Sequence, residues 1–344
     1  MCRIRRAGQS AVGSILAVAL LASACGSTKA PTAEPSSPAV TRFPAGIYFL
    51  TPDLEAPTGR LTLLGGRTPV DVDAPVVGFD LRADSVAFPA LGGNVITIVG
   101  ADGTTREVTL QPPADCIGHL ARSPDGTQAV VMGSVGGCPP GRPPSNIDIF
   151  LADLGTGSTE ALVEGPHNEE FPEWSPAGDR ISYFIGDPAL ARPGGKNLAL
   201  YDPFAKVPAG GAHDLGVDQT AFSKDGALVL SGHTLSVYDV ATGGRTARLR
   251  AAARRGLARA GYRLDTRFPG QAGGGTFPLD GDFSPDGKSI VFDGSVRRGR
   301  TYGMLLCRID IDGSNFEVLA GPFPVEPGFT NNLNWSSLNP TWLG

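Results

Sequence analysis

The sequence predicts an all-β fold, namely a six-bladed β-propeller of four-stranded antiparallel blades. Glycine and proline account for 47 and 30 of the 344 residues, which favours short strands joined by tight turns. A short turn motif recurs along the chain, and a second series of strand-like segments lies between its copies. Four-stranded units repeated every ~40–50 residues are typical of propeller blades.

The first series is a hairpin turn, best seen in Ser284-Pro285-Asp286-Gly287. The proline and the glycine supply the backbone angles that close a short hairpin. We interpret each copy as the turn between the first strand (a) and the second strand (b) of a blade. Other copies begin at Ser123, Ser175 and Ser223, and weaker ones at Asp80 and Ser336.

The second series consists of alternating strands that end in polar turns, which we interpret as c–d pairs. They cover 46–53, 94–103, 146–155, 197–204, 234–243 and 304–313. The propeller would then begin with a c–d pair at 46–66 and end with an a–b pair at 331–344. Joining these pairs into one blade would close the ring and leave no long open edge. This predicts six blades, or seven if 241–275 contains another.

The aromatic residue before the turn strengthens the assignment, as at Trp174, Phe222, Phe283 and Trp335. These repeats resemble the WD-type propeller repeats of the TolB family, periplasmic proteins of the Tol–Pal system. The resemblance covers about residues 46–344 and implies a TolB-like propeller. TolB proteins carry an N-terminal α/β domain and are not lipoproteins, so the resemblance does not imply the Tol–Pal role.

The N-terminus predicts export. Residues 1–24 combine three arginines with an apolar run at 11–24 that is too short for a membrane span. The segment Leu21-Ala22-Ser23-Ala24-Cys25 resembles the lipobox of bacterial lipoproteins, which implies a lipid on Cys25. The alternative is an ordinary signal peptide cut near Ala24. Residues 25–45 are a Pro/Ser-rich tether, and 46–344 form the propeller. We expect an exported protein, lipid-anchored to the cell membrane or outer membrane.

Three cysteines remain for the folded part. An oxidising compartment permits a disulfide, and Cys116 and Cys138 flank one predicted hairpin. We expect these two to pair. Cys307 lies in an apolar run and is expected to be a buried thiol.

Polar residues lie in the loops that lead into strand a, and these loops should surround one mouth of the channel. The candidates are Asp115, His167, Glu169, Glu170, Asp218, Asp280 and Asn331. Such a ring could hold Ca²⁺ or a basic peptide. The alternative is that these residues form turns and accept backbone N–H groups.

Motifs of catalysis are absent from the sequence. There is no G-x-S-x-G, H-E-x-x-H or P-loop, and His167 with Glu170 is the best acid–base candidate. The sequence therefore predicts a monomeric binding or scaffold module for an envelope protein or glycan, with no cofactor except a possible Ca²⁺. An enzyme acting on polysaccharide or peptide and a surface-structural or adhesin role are the alternatives.

An arginine-rich insertion at about 242–270 interrupts the repeat, and its apolar residues recur at helical spacing. Residues 26–344 carry a net charge of −8, whereas 245–267 carry +7. This basic patch could bind anionic lipid, a phosphate-rich polymer or an acidic partner, or it could simply balance the acidic body. Nucleic acid is excluded for an exported acidic chain. The candidate residues are Arg248, Arg250, Arg254, Arg255, Arg259 and Arg263.

Overall fold

The computed structural model describes twelve ranges of the chain and Leu338. They are 42–52, 58–75, 78–90, 93–136, 147–185, 198–203, 207–210, 220–232, 234–264, 280–299, 301–324 and 340–344. Their strands form six antiparallel sheets with one short helix, which confirms the six-bladed β-propeller. Within these ranges, no helix is long and apolar enough to cross a membrane.

The strands follow the chain in the order a, b, c, d from blade 1 to blade 5. The first three strands, which belong to the closing blade, are β1 (Gly46–Pro52), β2 (Thr58–Leu63) and β3 (Asp73–Pro75). Blade 1 contains β4 (Asp80–Leu81), β5 (Ser85–Pro89), β6 (Val95–Gly100) and β7 (Thr105–Thr109). Blade 2 contains β8 (Cys116–Arg122), β9 (Gln128–Ser134), β10 (Ile147–Asp153) and β11 (Thr159–Val163). Blade 3 contains β12 (Glu169–Trp174), β13 (Ile181–Ile185), β14 (Leu198–Asp202) and β15 (Val207–Gly210).

The second half of the ring carries the only helix of the described residues. Blade 4 contains β16 (Thr220–Phe222), β17 (Leu228–Ser231), β18 (Ser236–Asp239) and β19 (Arg245–Arg248). Helix α1 (Arg250–Arg259) and the short strand β20 (Arg263–Leu264) follow. Blade 5 contains β21 (Gly281–Phe283), β22 (Ser289–Arg298), β23 (Thr301–Asp310) and β24 (Glu317–Pro324), and β25 (Thr341–Leu343) belongs to the closing blade 6.

Blade 6 joins the two ends of the described chain in the order β25-β1-β2-β3. Strand β25 is its innermost strand, because Trp342 N donates to Asp282 Oδ2 of blade 5 at 2.8 Å. Arg122 N, at the end of strand a in blade 2, donates in the same way to Asp80 Oδ2 of blade 1 at 2.9 Å. The predicted closure between N- and C-terminal strands is therefore present.

We expected blade 6 to contain two N-terminal and two C-terminal strands. Among the described residues, one C-terminal strand pairs with three N-terminal strands instead. Strand β1 pairs with β25 on one side, where Gly46 lies opposite Leu343, and with β2 on the other, so β1 is strand b. Its polar end had suggested strand c.

The recurring turn is built by its own side chains. Ser284 Oγ donates to Asp286 Oδ1 at 2.6 Å, and Ser289 N donates to Ser284 Oγ at 2.9 Å. Gly287 has φ of 69°, a conformation that glycine adopts without strain. The hydroxyl of Ser284 lowers the pKa of Asp286. These residues stabilise the hairpin and are not free to act on a ligand.

Apolar side chains pack between neighbouring blades and around α1. Leu249, Ala253 and Leu257 are buried in the core shared by blades 4 and 5. Gly256 faces Phe316, and a Cβ at this glycine would lie 2.1 Å from the Phe316 ring. The arginine-rich insertion therefore contains the helix that its apolar spacing indicates, fixed closely against the propeller.

Two cysteines fall within the described residues. Cys307 is free and buried, and burial raises the pKa of its thiol. Cys116 is disulfide-bonded, but Cys138 lies outside the described residues. The pairing of Cys116 with Cys138 therefore stays a prediction.

Candidate functional site

A cavity of about 210 Å³ lies in the channel, where the strands a run toward their a–b turns. All six blades contribute to its wall, which identifies it as part of the central channel. The lining of this cavity includes Asp80, Leu81, His119, Leu120, Glu173, Trp174, Thr220, Phe222, Gly281, Asp282, Pro340 and Thr341. The sequence had predicted a binding site elsewhere, in the loops at the beginning of strands a.

Three carboxylates reach this cavity from one equivalent position in alternate blades. Asp80, Glu173 and Asp282 each occupy the second ladder pair before the a–b turn, opposite a residue of strand b. In blades 2, 4 and 6 the same position carries a small residue, namely Ala121, Ala221 and Thr341. The repeat therefore brings three acidic side chains toward one axis.

Asp80 is the carboxylate whose charge is neutralised by the protein itself. Its Oδ1 accepts a hydrogen bond from Arg122 Nε at 2.6 Å, and its Oδ2 accepts one from Arg122 N at 2.9 Å. The Arg122 side chain is 4% exposed and that of Asp80 15% exposed. This pair links blades 1 and 2 and contributes little net charge to the cavity.

Glu173 forms a pair with the buried His119. Glu173 Oε1 lies 3.1 Å from His119 Nε2, and His119 Nδ1 has no hydrogen-bond partner among the described residues. Burial raises the pKa of Glu173, His119 opposes the rise, and the charge of Asp80 adds to it. Glu173 is therefore a carboxylate whose charged form a bound cation would stabilise.

Asp282 is a second carboxylate whose pKa is raised in this cavity. Burial raises its pKa to about 7, and the charge of Glu173 adds to the rise. The N–H groups of Trp342 and Phe283 donate to it at 2.8 Å each and limit the increase. Near neutral pH, Asp282 is divided between its neutral and its charged form.

This arrangement favours a small cationic group. The cavity is below the roughly 300–1,000 Å³ of pockets for drug-sized ligands, but it has room for the end of one long side chain. An ammonium or guanidinium group would meet Glu173 and Asp282, both partly buried, and could form charge-assisted hydrogen bonds with them. Within the described ranges, no three Asp, Glu, His or Cys side chains are grouped so that they could hold a metal ion.

The predicted channel-mouth residues take several separate roles. Asp115 Oδ2 accepts a hydrogen bond from Gly136 N at 3.0 Å, and Glu170 Oε1 accepts one from Asn168 Nδ2 at 3.2 Å. His167 is partly exposed. Asp280 is buried and its backbone pairs with Asp293. None of these residues lines the cavity described above, and Asp218 and Asn331 lie outside the described residues.

Glu169 forms a carboxyl pair between blades 2 and 3. It is 4% exposed and lies against Asp148, which is 8% exposed. Burial, followed by the charge of Asp148, raises the pKa of Glu169 to about 8, and burial also raises the pKa of Asp148. Two such carboxyls share a proton near neutral pH, so Glu169 holds two blades together.

The remaining predicted residues are the arginines of the insertion and Cys25. Arg250 is partly buried, and Cys25 lies outside the described residues. The exposed arginines are Arg248, Arg254, Arg255, Arg259 and Arg263.

The comparisons with known proteins agree with the fold. No family model matches the chain, and no curated protein matches it. The structure of a putative TolB from Agrobacterium tumefaciens is similar with a TM-score of 0.50 and 13% identity, over 88% of this chain and 99% of that one. TolB from Acinetobacter baumannii gives a TM-score of 0.45 and 19% identity over 68% of this chain. The chain spans 52% of that protein's length. The fold is therefore a TolB-like propeller, and at these identities the likeness shows the fold alone.

Proposed function

We propose that the protein is a cell-envelope lipoprotein whose propeller binds a protein partner through a basic segment that enters the channel. The main support for this proposal is that Asp80, Glu173 and Asp282 line one cavity. The TolB-like fold is consistent with a protein-binding module. The lipid anchor on Cys25 rests on the sequence of residues 1–25.

The channel favours binding over catalysis. His119 and Glu173 form an acid–base pair, and such a pair could activate a hydroxyl or thiol nucleophile beside it. Thr220 lines the same cavity, and its hydroxyl is engaged with Ser182 Oγ at 2.7 Å. We therefore propose a module that holds a ligand without transforming it.

If the channel recognises positive charge, the protein should select basic peptides from a random library. A library of displayed random peptides panned on the protein is expected to become enriched in lysine and arginine. A selected peptide, labelled and measured by fluorescence anisotropy, should lose at least about 10-fold in affinity when its lysines are acetylated, because the cation then no longer meets a carboxylate. Glu173→Gln and Asp282→Asn should each cause a loss of about 10-fold.

The same measurement has a defined pH dependence. Because the pKa of Asp282 is about 7, protons compete with the cation below that pH, and affinity should fall about 10-fold from pH 8 to pH 5.5. Asp282→Asn should reduce this slope. Glu107→Gln, which removes an exposed carboxylate of β7, is the control and should change little. Peptides without basic enrichment, or equal losses in the control, would contradict the proposal. Added Ca²⁺ in the same assay tests the cation alternative by competition.

Lipid attachment predicts a difference between the full chain and its Cys25→Ser variant. When both are produced in a bacterium, the native chain should incorporate labelled palmitate and partition into the detergent phase of a Triton X-114 extract. Cys25→Ser should do neither and should accumulate with an uncleaved or differently cleaved leader. Equal labelling of the two chains would show that Cys25 is not the anchor.

A further inference from the structure

Five exposed arginines lie on and beside α1. We call Arg248, Arg254, Arg255, Arg259 and Arg263 the arginine face. All five are exposed, and none forms an ion pair with a described residue. Between Asp239 and Asp265 the chain carries no Asp or Glu, so no acidic residue within α1 offsets the repulsion in this array.

The helix holds the arginine face rigidly. Its inner side is buried through Leu249, Ala253 and Leu257, and Gly256 packs on Phe316. Arg255 and Arg259 are four residues apart on the outer side, a spacing at which like charges destabilise a helix. An external polyanion would relieve this repulsion without any rearrangement of the fold.

The chemistry of the outer side argues against a protein partner. Its other exposed helical residues are Ala251 and Ala258, so it offers no aromatic or large aliphatic anchor. Stable protein interfaces need an apolar core, and helices that insert into membranes need bulky apolar residues on the contact side. A face made of arginine and alanine instead suits a flat array of phosphate groups.

We propose that the arginine face binds the anionic phospholipid headgroups of a membrane surface. The choice of lipid over a soluble phosphate polymer rests on the anchor of the proposed function, since 16 residues lie between Cys25 and Arg42. An extended chain of this length spans at most about 60 Å, which keeps the membrane within reach. Contact through this face would orient the propeller relative to the membrane.

The test uses the chain from Gly26 onward, which lacks the anchor and keeps every described strand in the compact unit Val40–Gly344. Binding is measured by co-sedimentation with phosphatidylcholine vesicles, with and without about one third phosphatidylglycerol, at about 0.1 M salt. Each arginine near an anionic surface contributes roughly fivefold. The triple variant Arg254→Gln/Arg255→Gln/Arg259→Gln should therefore lose about 100-fold in affinity, and glutamine preserves the helix.

A matched variant removes the same charge elsewhere. Arg60→Gln/Arg106→Gln/Lys224→Gln alters three exposed positions on other blades or turns and should lose less than about fivefold. Equal loss in both variants would assign binding to net charge and overturn the proposal. So would equal binding to neutral vesicles, or binding to soluble polyphosphate but not to anionic vesicles. Because this chain lacks Cys25, a negative vesicle result would not contradict the lipid anchor or the binding of peptides in the channel, which have separate tests.

Discussion

Replacing Arg122 with methionine is expected to lower the free energy of unfolding by about 3–5 kcal/mol. Arg122 lies in β8 of blade 2 and is 5% exposed. Its guanidinium donates to Asp80 Oδ1 at 2.6 Å, to Ser85 Oγ at 2.7 Å and to Ser85 O at 3.0 Å, all in blade 1. Methionine fills similar volume but removes the closer of the two cationic partners of Asp80, because Arg82 Nε remains at 3.4 Å. It also removes the donor to Ser85 Oγ. Urea denaturation followed by tryptophan fluorescence measures the loss.

Two further variants identify the cause of this loss. Arg106 connects the same two blades through Nη1 and Leu154 O at 2.6 Å, but its side chain is exposed. Arg106→Met should therefore cost less than about 1 kcal/mol. Removing both members of the buried pair, in Arg122→Met with Asp80→Leu, should recover part of the stability because no uncompensated charge remains. Similar small losses in all three variants would show that the buried pair is not important for joining the blades.

The architecture could be predicted because its signal is local and repeated. A turn such as Ser284-Pro285-Asp286-Gly287 fixes a hairpin by its own hydrogen bonds, and six spaced copies imply six blades. The division of blade 6 was harder to predict because its a–b turn is split between the two ends of the chain. The copy at Ser336 was interpreted as an a–b turn, but the strand that follows it, β25, is strand a of blade 6.

The channel carboxylates were missed although the sequence contains their signal. The turn of blade 1 begins at Arg82 in the structure, two residues after the predicted start at Asp80. Asp80, Glu173 and Asp282 therefore each precede by two positions the first residue of their a–b turn. Aligning the repeats at that position would have revealed acids in alternate blades. The partners of these acids could not be predicted in this way. His119 meets Glu173 across 54 residues of sequence, and Glu169 meets Asp148 through the packing of two blades.

Replacing Asp293 with alanine is expected to cost about 2–4 kcal/mol. Asp293 lies in β22 and has no exposed surface. Its Oδ1 accepts a hydrogen bond from Asp280 N at 3.0 Å, and its Oδ2 accepts one from Leu338 N at 2.5 Å. Alanine leaves both buried N–H groups without this acceptor. Asp312→Ala is the control, because that exposed carboxylate accepts Ser314 N at 2.8 Å in a surface turn, and it should cost less than about 1 kcal/mol.

The position of Asp293 also predicts where the ring opens. Leu338 lies three residues before the start of β25. Strand β25 pairs with β1 without a hairpin connection, whereas every other described a–b pair has one. Loss of the Asp293 contacts should therefore release β25 before other strands. Hydrogen exchange measured by mass spectrometry should accelerate in β25 and β1 and stay unchanged in β9 and β10 of blade 2. Uniform acceleration around the ring would show that Asp293 supports the whole fold rather than the closing blade.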